Sequence, residues 1–380
     1  MGTAALEGNG VEKIPMSITQ YLMNDQASES NALRCPLPSV CRSHGLGILV
    51  LVIVWTLGLG PWSVVRAAEV IVVVGASGSD EYAPQFRQWA DRWSHAAKLG
   101  QATFHSFGLD DNAKTSDREL LKQQLLAAAG PGDANRANEP LWLVLIGHGT
   151  FDGKVARFNL RGPDVTSVEL AEWIKPIERP TAIINCTSCS GPFLNDLSAP
   201  NRVVVTATKS GHELNFSRFG DYLSSAIADL QADLDKDEQT SLLEAYLLAS
   251  SRVAEFYKHD GRLQTEHALL DDNGDKLGTP ADWFQGVRAT KSAKSGSPVD
   301  GQNAARWHLV RSPREEQLTV AARTRRDELE RELAALRLRK GAIPEAEYLS
   351  LIEPLLVEIA RLYEAAEKEK GNTQKRPVEK

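Results

Sequence analysis

The sequence has no excess of basic charge. Its 380 residues include 43 lysines and arginines against 50 aspartates and glutamates, so the formal net charge is −7. This balance gives no reason to expect nucleic acid as a partner. The apolar and charged fractions, 42% and 24%, are those of an ordinary globular protein. We therefore expect one or two sizeable folded domains.

The N-terminal part lacks charge over a long apolar stretch. Residues 1–44 form a polar leader, and residues 45–68 have the layout of a secretory signal peptide. The alternative is a membrane anchor at 45–62 that stays in place, although its apolar core is short for a span. We expect cleavage after Ala67 or Ala68 and an exported protein, periplasmic or secreted.

Cysteine is scarce, with four residues in the whole chain. Cys35 and Cys41 lie in the leader, so the mature protein keeps only Cys186 and Cys189. Their C-x-x-C spacing allows a thiol-redox pair as one hypothesis. Such a motif normally opens a helix, and Pro192 just downstream argues against an immediate helix.

A dinucleotide-binding fingerprint is also absent. The first predicted strand, 70–74, is followed by Gly75-Ala-Ser-Gly78, which lacks the G-x-G-x-x-G spacing. A nicotinamide or flavin cofactor is therefore not expected from this turn.

Two apolar runs end in reactive side chains. Residues 141–146 lead into His148 and Gly149, and the run beginning at Ala182 leads to the two cysteines. Continuous apolar runs of this length are typical of strands buried on both faces. Chemistry gathers at the carboxyl ends of parallel strands, so we expect His148 and a cysteine to meet there. A nearby histidine is the base that a thiol nucleophile needs.

These two strand ends resemble those of the caspase/legumain group of cysteine peptidases, and are closest to the legumain-type branch. The resemblance covers roughly residues 69–282, within a predicted caspase-like peptidase domain at 69–289, and implies a protein or peptide substrate and no required cofactor. It implies Cys189 as nucleophile, with Cys186 as the alternative, and His148 as base. The backbone amides of Gly149 and Cys189 would hold the oxyanion.

The same resemblance suggests where substrate specificity resides. Arg87 lies in the helix segment where legumains carry a substrate-binding arginine, although Gln88 replaces the histidine that follows there. The loop after the strand at 202–208 would line the substrate pocket, with candidates Glu213, Asn215 and Arg218. The alternative for all four residues is an ordinary solvated surface.

The element order predicts an α/β fold, a caspase-like and mainly parallel sheet with helices on both faces. A linker is expected at 290–312, because residues 290–301 are rich in Ser, Lys and Gly. Apolar spacing predicts a C-terminal helical hairpin or coiled coil at 313–370, which is also a candidate surface for a partner helix. The polar tail 371–380 is expected to be disordered.

Two acidic loops, 233–244 and 271–282, have oxygen ligands at the spacing of an EF-hand, so Ca²⁺ is a candidate ligand. Neither loop has the glycine that usually occupies position 6, and the alternative is a pair of acidic helix caps. The candidate ligands are Asp233, Asp235, Asp237, Ser241 and Glu244 in the first loop, and Asp271, Asn273, Asp275 and Asp282 in the second.

The sequence therefore predicts an exported cysteine endopeptidase that works through a Cys-His dyad. Two alternatives stay open. One is an interaction or scaffold protein that keeps the fold without catalysis, and the other is the C-x-x-C redox pair.

Overall fold

The computed structural model describes residues 68–110, 114–130, 139–293, 296 and 298–374, with side chains described as far as residue 370. The predicted leader and the signal or anchor segment lie outside the described residues, apart from Ala68. So do residues 375–380 of the predicted tail, whereas 371–374 continue the last helix. Within the described ranges, no helix is both long enough and apolar enough to cross a membrane.

A seven-stranded sheet forms the centre of the fold. In chain order the strands are β1 (Glu69–Val74), β2 (Thr103–Phe107), β3 (Leu141–Ile146), β4 (Gly149–Phe151), β5 (Ala156–Phe158), β6 (Val165–Thr166), β7 (Thr181–Asn185), β8 (Arg202–Thr206), β9 (Leu269–Asp271), β10 (Thr279–Pro280), β11 (Phe284–Gln285) and β12 (Arg288–Ala289). The main sheet has the order β10-β9-β8-β7-β3-β1-β2; β4, β5 and β6 form a small second sheet, and β11 and β12 a third.

Five strands of the main sheet, from β8 to the edge strand β2, are parallel, and β9 and β10 add antiparallel strands at the other edge. The helices are α1 (Tyr82–Leu99), α2 (Asp117–Ala129), α3 (Ser167–Ile174), α4 (Gly191–Leu197), α5 (Phe219–Ala226), α6 (Leu242–His259), α7 (Val320–Leu338) and α8 (Glu345–Gln374).

Alternate side chains of each central strand face opposite layers, as the two-residue period of a strand requires. In β1, Val70 and Val72 pack into the core under α1, α5 and α6, whereas Ile71 and Val73 pack into the core under α2, α3 and α4. The strands are apolar throughout because helices cover both of their faces. The predicted α/β architecture is confirmed.

The structure corrects one local prediction. A helix, α4, begins at Gly191 immediately after the cysteine turn, with Pro192 in its first turn. Proline is favoured at that position because the first helical N–H has no partner within the helix. Pro192 therefore begins this helix and does not prevent it, so the sequence-based objection to a redox motif no longer applies.

The predicted linker is only partly a spacer. Asp300, Ala304 and Leu309 are buried, and the indole of Trp307 packs edge-on against that of Trp142 with ring centroids 5.3 Å apart. The Ser/Lys/Gly-rich composition ends near Gly301, and the apolar residues after it join the core.

The C-terminal helices α7 and α8 form the predicted antiparallel hairpin. Arg325 in α7 donates to the carboxylate of Glu358 in α8 at 2.8 Å. On the apolar side of α7, Leu329 and Leu333 are buried. Helix α8 runs through Pro354 without interruption of its helical assignment.

Candidate active site

The two reactive segments lie side by side at one edge of the sheet. Strands β3 and β7 are adjacent, parallel and in register, with Leu145 opposite Asn185. His148 follows the end of β3, and Cys189 follows the end of β7. Both residues therefore lie at the edge formed by the carboxyl ends of the parallel strands, as the strand pattern predicted. We call this the carboxyl edge.

The two loops are in direct contact. The side-chain oxygen of Ser188 donates to the carbonyl oxygen of Gly149 at 3.2 Å, and the N–H of Gly149 lies 3.3 Å from the same Ser188 oxygen. A Cβ on Gly149 would lie 2.3 Å from the carbonyl oxygen of Ser188. Only glycine allows the histidine loop to approach the cysteine loop this closely.

His148 is held by a backbone carbonyl and by aromatic rings. Its Nε2 lies 3.0 Å from the carbonyl oxygen of Ser77, in the turn after β1. Because a carbonyl can only accept, Nε2 carries a proton, and Nδ1 has a free lone pair whenever the imidazole is neutral. The imidazole packs edge-on against Tyr82 and Phe86, with ring centroids 4.9 and 5.3 Å away. Phe216 completes this surround at 5.9 Å.

The sequence did not predict Ser77 as an orienting group. Its contribution comes from a main-chain oxygen, which every residue type carries, so no side-chain pattern marks it. The Gly75–Gly78 turn that carries it was recognised only for lacking a dinucleotide fingerprint.

Cys189 adopts a strained backbone conformation. Its φ is +55°, a left-handed value that costs a residue with a side chain about 1–2 kcal/mol. The residue is 1% exposed. Burial raises the pKa of its thiol, and a hydrogen bond with the Ser188 side chain opposes part of that rise. At neutral pH the sulfur therefore holds its proton until a base accepts it.

Cys186 has a different environment. Its N–H continues the β7 ladder by donating to the carbonyl of Leu145 at 2.9 Å, and its side chain packs in the core beside Trp89 and Gly220. Burial raises its thiol pKa to about 12. Both cysteines are free thiols. Cys186 is thus a buried small hydrophobe, and a redox pair would need a more easily ionised thiol at one of the two positions.

The two predicted oxyanion amides have internal acceptors in this state. The N–H of Gly149 lies near Ser188 Oγ, as described above, and the N–H of Cys189 donates to the carbonyl of Glu213 at 3.0 Å. A substrate oxyanion would have to replace these acceptors. The oxyanion assignment stays a prediction.

Glu213 is a structural tie for the loop after β8. Its carboxylate lies 2.6 Å from Nδ1 of His267 and accepts the backbone N–H groups of Lys209 and His267 at 3.0 and 3.1 Å. Its carbonyl also receives the Cys189 N–H. Glu213 therefore lies next to the predicted nucleophile, with its carboxylate already engaged.

The other predicted specificity residues lie on both flanks of β3 and β7. Asn215 is exposed in the loop after β8. Arg218 stacks its guanidinium over the ring of Phe256, 4.1 Å from the ring centroid. Arg87 is exposed on α1 and donates to the carbonyl of Leu109, beyond the outer strand β2, at 3.1 Å. The structure does not gather Arg87 with the others, and the specificity assignments stay predictions.

The first acidic loop brings three of its predicted ligands together. Carboxylate oxygens of Asp233, Asp235 and Asp237 lie within 4.8 Å of one another. Burial, followed by the neighbouring carboxylates, raises the pKa of Asp235 to about 6. Ser241 and Glu244 instead form the capping box of α6, and Glu244 also accepts the N–H of Leu234 at 2.7 Å.

The second loop gathers a different set. Asp271 and Asp275 come within 4.8 Å of Asp300, which the sequence did not predict. Asn273 instead accepts the N–H of Asp275 at 2.8 Å. Asp282, predicted at loop position 12, is exposed and pairs with Lys291 at 2.6 Å. Asp300 lies in the predicted linker, far from the loop in sequence, so ligand spacing gave no signal for it.

The two loops share one backbone conformation. Positions 4 and 6 have positive φ in both: Lys236 and Glu238 at 64° and 68°, and Gly274 and Lys276 at 80° and 66°. The turn expected to need glycine at position 6 thus forms with charged residues there. Calcium binding by either loop stays a prediction.

Comparisons with known proteins give a fold likeness and no relative. No family model matches the sequence, and no curated protein matches it. Similar solved structures include the Drosophila initiator caspase Dronc, at 13% identity and a TM-score of 0.38, over 56% of this chain and 81% of that one. Caspase-1 from Spodoptera frugiperda is 11% identical with a TM-score of 0.35, over 55% of this chain and 86% of that one.

Proposed function

We propose that the protein is a cysteine endopeptidase of caspase/legumain type, exported from the cytoplasm, that hydrolyses peptide bonds with Cys189 as nucleophile and His148 as base. One observation carries the proposal. Two adjacent parallel strands deliver an imidazole and a thiol to contacting loops at the same edge of the sheet. The Ser77 carbonyl that holds Nε2 of His148 adds support, because it leaves Nδ1 able to accept a proton.

The reaction follows from these protonation states. His148 Nδ1 takes the thiol proton as the Cys189 sulfur attacks the scissile carbonyl, and the tetrahedral oxyanion is held by backbone amides. The imidazolium then gives that proton to the leaving nitrogen, the C–N bond breaks, and a thioester remains. Water attacks the thioester, His148 accepts the water's proton and returns it to the sulfur, and the products are a carboxylic acid and an amine.

The strained cysteine suits this role. A residue with a side chain persists at φ +55° only where its surroundings fix it, and such strain concentrates at functional sites. The burial of Cys189 and the internal partners of both oxyanion amides describe a closed resting state. Substrate binding therefore has to displace the contact between the Cys189 N–H and the Glu213 carbonyl.

The same closed state favours the second candidate function, an interaction protein that keeps the fold without catalysis. In that case the acidic loops and the α7–α8 hairpin would be its docking surfaces. The redox hypothesis has less support, because burial raises the pKa of both thiols and Cys186 lies in the core.

A peptide-library cleavage screen separates these functions. The full chain is incubated with the library under reducing conditions, and Cys189→Ser is the matched control, since it changes one atom. Cleavage by the wild type that the control lacks supports the peptidase. If wild type and control give the same cleavage pattern, or if neither cleaves, the peptidase proposal fails and the interaction protein is favoured.

A further inference from the structure

A cavity of about 730 Å³ lies at the opposite edge of the sheet, where the parallel strands begin. We call this the amino edge. Ala68, Pro140 and Pro180, which directly precede β1, β3 and β7, line one wall, and helix α7 lines another. The volume falls within the range of about 300–1,000 Å³ that small-molecule sites occupy. The cavity is therefore large enough for a metabolite and is separate from the His148–Cys189 site.

The lining is rich in arginine. Six arginines and four carboxylates contribute to it, and the arginines are Arg202, Arg306, Arg311, Arg323, Arg326 and Arg331. Two of the four carboxylates, Glu315 and Asp327, are engaged by a single arginine, Arg326. Of the other two, Glu139 has a partner of its own and Glu316 is exposed. Arg326 thus forms the ion pairs with Glu315 and Asp327, and these carboxylates act on the other arginines only at longer range.

Three half-buried arginines have no carboxylate partner among the residues described. Arg306 donates to the amide oxygen of Asn303 at 2.6 Å, and Arg323 donates to the carbonyl of Leu318 at 2.6 Å. Arg311 makes no side-chain hydrogen bond within the described part of the chain. Burial lowers the pKa of all three guanidinium groups, and neighbouring carboxylates, Asp327 among them, oppose part of that shift.

A further donor without an acceptor lies beside the cavity. Trp142 is fully buried and lines the cavity, and its indole Nε1 has no acceptor among the described residues. A buried donor without an acceptor costs about 1–3 kcal/mol. Guanidinium and indole N–H groups donate and never accept. Among the described residues no carboxylate forms an ion pair with Arg306, Arg311 or Arg323, so a bound anion would supply the missing partner.

We infer that this cavity binds a small-molecule oxyanion, a phosphate ester or a dicarboxylate, held by Arg306, Arg311 and Arg323. The planar guanidinium fork matches the two oxygens of a phosphate or carboxylate edge, and such charge-assisted bonds are strong. An uncharged ligand would leave the three cations uncompensated. The α7–α8 hairpin would take part in this binding, because α7 supplies Arg323 and forms one wall of the cavity.

The test is binding of two probes to the full chain. Inorganic phosphate and succinate are each titrated at constant ionic strength, with chloride as the balancing salt and EDTA in every sample to remove divalent cations. The thermal midpoint and calorimetric heat are followed. A ligand that binds only the folded state raises the midpoint in a saturable way. The stronger of the two probes identifies the phosphate or the carboxylate class.

Arg311→Gln and Arg306→Gln are the test variants, and Arg337→Gln is the control, since Arg337 is exposed on α7 outside the cavity. We expect saturable binding by wild type and control, and at least tenfold weaker binding by each test variant. Because the Arg311 side chain makes no hydrogen bond among the described residues, the thermal midpoint of Arg311→Gln without anion should be no lower than that of wild type. The inference is overturned if neither probe binds, if Arg311→Gln and Arg306→Gln bind as tightly as wild type, or if the control loses binding equally.

Discussion

The two edges of the sheet are built for different chemistry. The carboxyl edge places the imidazole of His148 and the thiol of Cys189 on contacting loops, with aromatic rings packed around the imidazole. The amino edge carries the arginine-lined cavity and, beside it, the Asp271/Asp275/Asp300 cluster. Asn303 links the two, because its side chain donates to the carbonyl of Asp272 and accepts from Arg306. The two edges thus differ in their surroundings, with aromatic rings and close backbone contacts at one and arginines and carboxylates at the other.

The largest expected effect is at the carboxyl edge. His148→Ala removes the base, so kcat/KM for the best library peptide should fall by about 10²–10⁴-fold. His212→Ala is the matched control, since His212 is exposed and its ring packs edge-on against Phe151 at the same edge. Equal activity of both variants would show that the imidazole of His148 takes no part in catalysis.

The next prediction compares two close backbone contacts, one at each edge of the sheet. Gly149→Ala places a Cβ 2.3 Å from the Ser188 carbonyl oxygen, and Gly100→Ala at the amino edge places one 1.9 Å from the Leu309 carbonyl oxygen. We expect each to lower the free energy of unfolding by about 1–3 kcal/mol. In urea titration and peptide cleavage, only Gly149→Ala should lose activity per folded molecule. A similar specific activity in both variants would show that the Gly149 contact matters for stability and not for catalysis.

Calcium binding tests which residues are the ligands of the second acidic loop, those that the structure brings together or those that the sequence spacing predicted. If that loop binds Ca²⁺, addition of the ion after EDTA treatment should raise the unfolding midpoint by an amount equivalent to about 2.7–4.1 kcal/mol at 100–1,000 times Kd. Asp300→Asn should reduce this gain, and Asp282→Asn should leave it intact, because Asp282 is exposed and paired with Lys291. The reverse result would restore the sequence-based ligand set.

A smaller effect concerns acid stability near the carboxyl edge. Hydrogen bonds from Arg118 and then Thr166 lower the pKa of Glu169 to about 2. Because this pKa is lowered, the ionised carboxylate stabilises the fold at pH values above its unfolded-state pKa, which is about 4.3. That stabilisation is lost as the pH falls toward 2. The side chain is partly exposed, so Glu169→Gln should cost about 0.5–1 kcal/mol at pH 7 and less at pH 2.5. The neighbouring Glu172→Gln serves as control in urea titrations at both pH values, and a pH-independent cost would argue against this ion pair.

The smallest expected effect is a null result. Arg311→Gln should leave kcat/KM within about twofold of wild type when no oxyanion is present. A factor of two corresponds to about 0.4 kcal/mol in activation free energy. We expect no larger effect because, among the described residues, no side chain belongs to both edges. A tenfold loss in the peptide assay would mean that the edges are coupled.

Sequence patterns predicted the parts of the fold that depend on side-chain hydrophobicity. The apolar runs of β3 and β7 must be buried on both faces, so their adjacency and the meeting of His148 and Cys189 at one edge followed from general rules. Helix α4 was missed because Pro192 was taken as a helix breaker when it occupies the first turn.

Other features had no readable signal. The oxygen that orients His148 belongs to the main chain at Ser77. Asp300 joins Asp271 through tertiary packing, and the arginines of the cavity come from separate segments that no spacing rule connects.

The central claim is that Cys189, assisted by His148, is the reactive thiol. Its most direct test is the iodoacetamide alkylation rate of each cysteine, followed by peptide mass spectrometry in wild type, His148→Ala and His212→Ala. We predict faster alkylation of Cys189 than of Cys186, at least tenfold slower alkylation of Cys189 in His148→Ala, and no change in His212→Ala. Faster alkylation of Cys186, or a Cys189 rate that His148→Ala leaves unchanged, would contradict the account.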